Sequence, residues 1–247
     1  MPWRKRFDPA KAARDAVDWA RTGVGDRLES AVLYGSAAMG TFDAERSDLN
    51  VAFVFKALDA ATLDALRSAH HGWGTVRLTQ PLLLTPEILE RSRDTYPLEY
   101  LLIRTFHRPL HGPDPFAAIE IDRRALRLQV ERTLRTQSLA LAWSYLDATG
   151  TPAGARHWAR RAGTAIAASV SGLLHLAGDP IPADRRELAS RAASRLDMPE
   201  APLRDVLLPP DARGGVERSA LFEEARGCLK RLLDAAERMD APPEPVS

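Results

Sequence analysis

Residues 33–55 read LYGSAAMGTFDAERSDLNVAFVF. The stretch divides into an apolar strand end, a Gly-Ser turn, a polar loop and a second apolar run opened by a carboxylate. Ala31–Tyr34 predicts a short buried strand. Leu49–Phe55 is almost unbroken in Val, Ala and Phe, which predicts a central strand buried on both faces. Gly35, without a Cβ, lets backbone approach phosphate oxygens closely. Ser36 adds a hydroxyl and, if it opens a helix, N–H groups aimed at an anion. Asp48 and Asn50 are two apart, so on an extended chain both side chains leave by one face. Two oxygens so placed can hold Mg²⁺ against a phosphate. Arg46 stands just before them, and a guanidinium suits bidentate phosphate contact; Ser47 stands with it.

This order and spacing resembles the signature of the polymerase-β-like nucleotidyltransferase superfamily, which runs apolar, Gly-Ser, a loop, then acid, apolar, acid, apolar. The resemblance covers the first half of the chain. It implies transfer of a nucleoside monophosphate from an NTP, ATP foremost, to an acceptor, with Mg²⁺ as cofactor and pyrophosphate released. It implies that Asp48 and Asn50 hold the metal and that Gly35, Ser36, Arg46 and Ser47 hold the nucleotide. The chain departs from the pattern at Asn50, where the family has its second acid. An amide oxygen is a weaker ligand for a hard dication than a carboxylate. A third acid belongs on a later strand, yet 76–84, VRLTQPLLL, contains none. Glu99 takes that place if Tyr96–Ile103 enters the sheet as a strand; Asp94 is the weaker substitute. In antibiotic nucleotidyltransferases of this superfamily a helical domain faces the cleft, which makes Glu131 a candidate base; pairing with Arg127 or Arg135 is the plainer reading. The acceptor stays open among a small hydroxylated molecule, an RNA end and a protein side chain. The alternative is a nucleotide-binding regulator or scaffold on the same fold.

The chain has 247 residues, a formal net charge of +1, and 45% hydrophobic residues, enough to bury a sizeable core. The near-neutral charge argues against a broad nucleic-acid surface. Lys is scarce and Arg scattered, as in high-GC bacterial coding. No apolar run reaches the ~20 residues that span a bilayer, and the N-terminus lacks the apolar core of a secretory signal. The single cysteine, Cys228, excludes an internal disulfide and reads as a small buried hydrophobe. A cytoplasmic location is expected.

The expected fold class is α+β: a small mixed sheet with helices over 1–115, an all-α bundle over 116–240, and a frayed Pro-rich tail at 241–247. Asp8-Pro9 opens a helix to about Arg21, and Asp59 caps another to about Ala69. Pro81 marks an edge strand or bulge within Val76–Leu84. Thr85-Pro86 opens a helix to about Arg93. Tyr96–Ile103 allows strand or helix, and Arg108–Gly112 reads as the short closing strand. Beyond Pro113 the pattern turns helical: Leu126–Leu146, His157–Ala177, Asp184–Arg195 and Ser219–Met239, with Gly150–Gly154 a turn and Pro199–Val216 a loop. Trp143 and Trp158 read as core. His107 and His111 are four apart, but Pro109 between them argues against a helical metal pair.

Overall fold

The computed structural model describes residues 7–44, 47–78, 80–147, 152–208 and 218–239. They form an α+β fold, a four-stranded mixed sheet with helices followed by a run of helices alone. They divide into two compact units, one drawn from 1–93 and 99–120, the other from 94–98 and 121–247.

In the first unit, α1 (Pro9–Val24) begins where the Asp8 carboxylate accepts the N–H groups of Ala10 and Lys11, with Pro9 in the first turn. Its buried positions, Ala13, Ala16, Val17 and Ala20, recur at helical spacing. Strand β1 (Leu28–Tyr34) then runs through the sheet. It pairs antiparallel with β2 (Asn50–Phe55), Leu33 opposite Val51 and Tyr34 opposite Asn50. A third strand, β3 (Leu82–Leu84), lies parallel to β2 at one edge; β4 (His107–His111) lies antiparallel to β1 at the other. Pro81 sits just before the edge strand β3, where its missing N–H breaks no central ladder.

Alternation along the strands sends Ala31, Leu33, Val51, Phe53 and Phe55 into one core with α1 and Trp73. Trp73 stacks on Phe53 with ring centroids 5.2 Å apart, and its indole N–H donates to the Ala16 carbonyl at 3.2 Å. Burying each such side chain stabilises by ~1.5–3 kcal/mol. Val32, Ala52 and Val54, on the opposite face, are buried as well. The helix expected from Asp59 is two, α3 (Ala60–Ala65) and α4 (Arg67–Trp73); α2 is the short Ser36–Met39 and α5 is Pro86–Arg91. Tyr96–Ile103, open to strand or helix from its pattern, lies mostly within helix α6 (Pro97–Thr105).

The second unit is helical: α7 (Arg123–Asp147), α8 (Pro152–Leu176), α9 (Arg185–Arg195), α10 (Glu200–Leu207) and α11 (Arg218–Arg238). Leu126, Val130, Leu134 and Leu141 of α7 are buried, as are Ile166, Val170, Leu173 and Leu174 of α8. These two helices approach closely at Gly172, where a Cβ would lie 2.6 Å from Val130 Cγ2 and 3.1 Å from Leu98 Cδ1. Cys228 is buried in α11, and burial pushes its thiol up to about 12.

Three expectations are corrected here. Pro199–Val216 is not loop throughout, because Glu200–Leu207 is helix; Pro202 falls in its first turn, where the N–H groups have no intrahelical partner anyway. Trp143 is not core but 71% exposed. It stands two residues past buried Leu141, on the opposite side of a 3.6-residue turn. The expected Gly150–Gly154 turn is helix from Pro152 on; Gly150, Thr151, the Trp158 side chain, residues 209–217 and the tail 241–247 lie outside the described residues.

Candidate functional site

The chain leaves β1 at Gly35 with φ 70° and ψ −155°, a combination open essentially to glycine alone. A Cβ at this position would lie 2.8 Å from Asn50 Nδ2. The turn therefore sits against the first residue of β2, and only a glycine lets it. From there α2 begins: the Gly35 carbonyl accepts the N–H groups of Ala38 and Met39, each at 3.0 Å. The chain closes back when Thr41 N–H donates to the Ser36 carbonyl.

Before β2, exposure alternates: Asp48 exposed, Leu49 1% exposed, Asn50 half-buried. This is the pattern of an extended chain with Asp48 and Asn50 on one side. The Asn50 amide nitrogen lies 3.5 Å from the Asp48 carbonyl oxygen, at the limit of a hydrogen bond. Leu49 N–H donates to the carbonyl of Arg77 at 3.0 Å, which ties the start of β2 to the turn that ends α4. Gly35 and Asn50 thus adjoin, with Ser36 next to the one and Asp48 bonded to the other.

Directly opposite residues of an antiparallel pair share a face, so Asn50, Tyr34 and His107 form a row across β2, β1 and β4. Burial pushes the Tyr34 hydroxyl up to about 12, so it stays protonated at neutral pH. His107 is fixed through both ring nitrogens: Nδ1 lies 3.1 Å from the Arg104 carbonyl and Nε2 2.6 Å from Asp114 Oδ2. Burial alone would raise the Asp114 carboxyl, but His107 and the N–H groups of Phe116 and Ala117 hold it below the usual aspartate range. His107 and His111 lie on a strand, and His107 is engaged in a hydrogen bond with Asp114.

The loop into Asp48 is braced in several places. Ser47 N–H donates to the Asp43 carbonyl at 2.8 Å, and Asp43 N–H donates to Ser47 Oγ at 3.0 Å. Phe42 stacks on Phe7 with centroids 5.5 Å apart. Arg77 donates to the Ala44 carbonyl and lies over the Phe7 ring, 5.8 Å from its centroid. Arg46 lies outside the described residues.

Glu99 stands exposed in the first turn of α6, so it does not enter the sheet on a strand as its candidacy required. Asp94 is exposed in the segment just before α6. In the second unit Glu131 takes Arg135 Nε at 2.8 Å and Arg127 Nη1 at 2.9 Å. Hydrogen bonds from Arg135 first, then Arg127, hold its carboxyl below the ordinary glutamate range. A carboxylate so neutralised is a poor proton acceptor.

Among the described residues no group of three or more His, Cys, Asp or Glu is placed to hold a metal. Mg²⁺ commonly takes one or two protein carboxylates and completes its shell with water and substrate phosphates. One exposed carboxylate with an amide two residues on fits a single ion shared with a triphosphate. It does not fit a pair of ions held by protein carboxylates alone. Among the described residues no helix is long and apolar enough to cross a membrane.

Arg77 and Asp114 are additions that motif reading missed, and His107 was weighed there only as a metal ligand with His111. Register alone, once β4 is known, brings His107 to the Tyr34–Asn50 row.

No protein-family model matches the chain, and no curated protein matches it. Among solved structures the chain is similar to the crystal structure of spectinomycin adenyltransferase AAD(9) from Enterococcus faecialis with ATP and spectinomycin. The TM-score is 0.57 at 10% sequence identity, over 93% of this chain and 100% of that one. At that identity the likeness is one of fold alone.

Proposed function

We propose that the chain is a nucleotidyltransferase that moves the AMP group of ATP onto a hydroxyl of a small molecule. The observation that carries this reading is the fit of Gly35 against Asn50, which joins the Gly-Ser turn to the strand that follows Asp48. The fold likeness to an adenyltransferase whose structure holds ATP and a small-molecule acceptor supports the choice of nucleotide and acceptor.

In this reading the backbone at Gly35 and the Ser36 hydroxyl bind the triphosphate, with Ser47 and Arg46 beside them. Asp48 and Asn50 would hold Mg²⁺, which when bound would supply charge neutralisation at the phosphates. The acceptor oxygen bonds to the α-phosphorus as the bond to the β-phosphate oxygen breaks. Pyrophosphate leaves, and the hydroxyl proton passes to a base. Such a displacement depends mainly on positioning and charge neutralisation. Glu131, tied to two arginines, is not assigned as that base.

One observation favours a second reading. With Asn50 where the resemblance leads one to expect an acid, and Glu99 on a helix, the metal site is short of carboxylates. That suits a protein that binds nucleotide without turnover. Calorimetric titration with ATP in the presence and absence of Mg²⁺, followed by a pyrophosphate-release assay over a panel of hydroxylated small molecules, separates the two. Mg²⁺-dependent binding with release supports the transferase. Mg²⁺-independent binding without release supports the binding protein, and no binding in either condition overturns both.

A further inference from the structure

We propose that Arg77 is a positioning residue that fixes the loop carrying Asp48, so that the site's hold on Mg²⁺-bound nucleotide depends on its side chain. The proposal deepens the reading above and rests on it for the ligand.

Helix α4 and the 3-10 turn Gly74–Val76 end in a paired closure: Arg77 N–H bonds to the Gly74 carbonyl at 3.2 Å and Leu78 N–H to the Trp73 carbonyl at 3.0 Å. This is the Schellman ending, whose last residue is left-handed and is usually Gly. Here it is Arg77, at φ 62° and ψ 23°. Glycine would relieve the backbone, so the side chain is the feature that sets this ending apart.

That side chain reaches back 33 residues. Its guanidinium donates to the Ala44 carbonyl and lies over Phe7, which itself stacks on Phe42. Its carbonyl takes Leu49 N–H from the other end of the loop. One residue thus grips the loop before and after Ser47-Asp48. Its left-handed backbone orients the carbonyl toward Leu49 while the side chain turns toward Ala44. Charge-assisted bonds of this kind are the stronger class. The guanidinium's geometry makes Lys an imperfect replacement.

The test uses Arg77→Gly and Arg77→Lys in the full chain. Gly keeps a backbone suited to the turn and deletes the grip; Lys keeps the charge and loses the planar fork. Three readouts are taken: melting temperature, amide exchange over Thr41–Ala44 and Leu49, and affinity for ATP with and without Mg²⁺. Arg77→Gly is expected to keep its melting temperature within a few degrees while exchange in these amides rises about tenfold, the size of losing one charged hydrogen bond. Affinity for Mg²⁺-bound ATP falls by about the same factor, affinity for ATP alone changes much less, and Arg77→Lys lies between. Unchanged exchange in both variants overturns the proposal. If the wild type binds no nucleotide, the reading of the site fails and exchange alone decides whether Arg77 grips the loop. If Arg77→Gly does not fold, Arg77→Lys decides by the same readouts.

Discussion

Gly35 and Asn50 are so close that a methyl group on the glycine would lie 2.8 Å from the asparagine amide. The backbone at Gly35 also has φ 70° and ψ −155°. Gly35→Ala therefore meets two penalties, a glycine-only conformation worth ~1–3 kcal/mol and displacement of Asn50. The expected result is a midpoint shift in urea of that size together with loss of ATP binding. Ser36→Ala is expected to keep stability within ~0.5 kcal/mol and to weaken ATP alone. Stability measured beside calorimetric binding checks both.

Asn50→Asp is expected to tighten binding of Mg²⁺-bound ATP by about tenfold, since a carboxylate is a stronger ligand for Mg²⁺ than an amide. Asp48→Asn is expected to remove the Mg²⁺ dependence. Titrations at fixed ATP with varied Mg²⁺ read both. No gain for Asn50→Asp places Asn50 away from the metal.

Glu131 supplies a pH signature. Its carboxyl is held below the ordinary value of 4.5 by Arg135 and Arg127. A depressed folded-state pKa means the contribution is fully present above 4.5 and is lost as pH falls through the folded value. Urea midpoints of wild type and Glu131→Gln are expected to differ at pH 7 and to converge below pH 4.5. Parallel curves across that window would show that the pair adds nothing to stability.

Gly172 and Trp143 test the helical unit from opposite sides. Gly172→Val must fit atoms where Val130 and Leu98 already stand, and overpacking of this kind costs about 1–3 kcal/mol. Trp143→Ser, at a position 71% exposed, is expected to stay within ~0.5 kcal/mol of wild type. Thermal melts of the two variants check both.

The parts of the fold legible in the sequence were those written in local pattern. Asp8-Pro9, Asp59 and Thr85-Pro86 announced helix starts, because a cap is a relation between neighbours. The Gly-Ser turn and the Asp48–Asn50 spacing announced a strand–turn–strand, while the contact of Gly35 with Asn50 was not foreseen. What stayed hidden depends on distance or phase. Arg77 occupies a helix ending where glycine is usual, and its partner is 33 residues back. Nothing in Gly74-Thr75-Val76-Arg77 signals that. Trp143 was misread because hydrophobicity alone does not fix which side of a helix faces in. Glu99 stayed conditional because the eight residues Tyr96–Ile103, of mixed apolar pattern, fit either period, and the structure resolves them as helix from Pro97 on.

Strand β1 has its two neighbours at very different distances along the chain. Tyr34 meets Asn50 after sixteen residues but meets His107 only after seventy-three. On a ribosome adding ~5–20 residues per second, that second neighbour emerges about 4–15 s after β1 itself. Through that interval Ala31, Val32 and Leu33 present an unpaired apolar edge, the kind of surface that joins other chains. The nucleotide turn can take shape during this wait, while the sheet that protects it is still open on one side. Translation speed across residues 35–107 thus sets how long that edge stays unpaired.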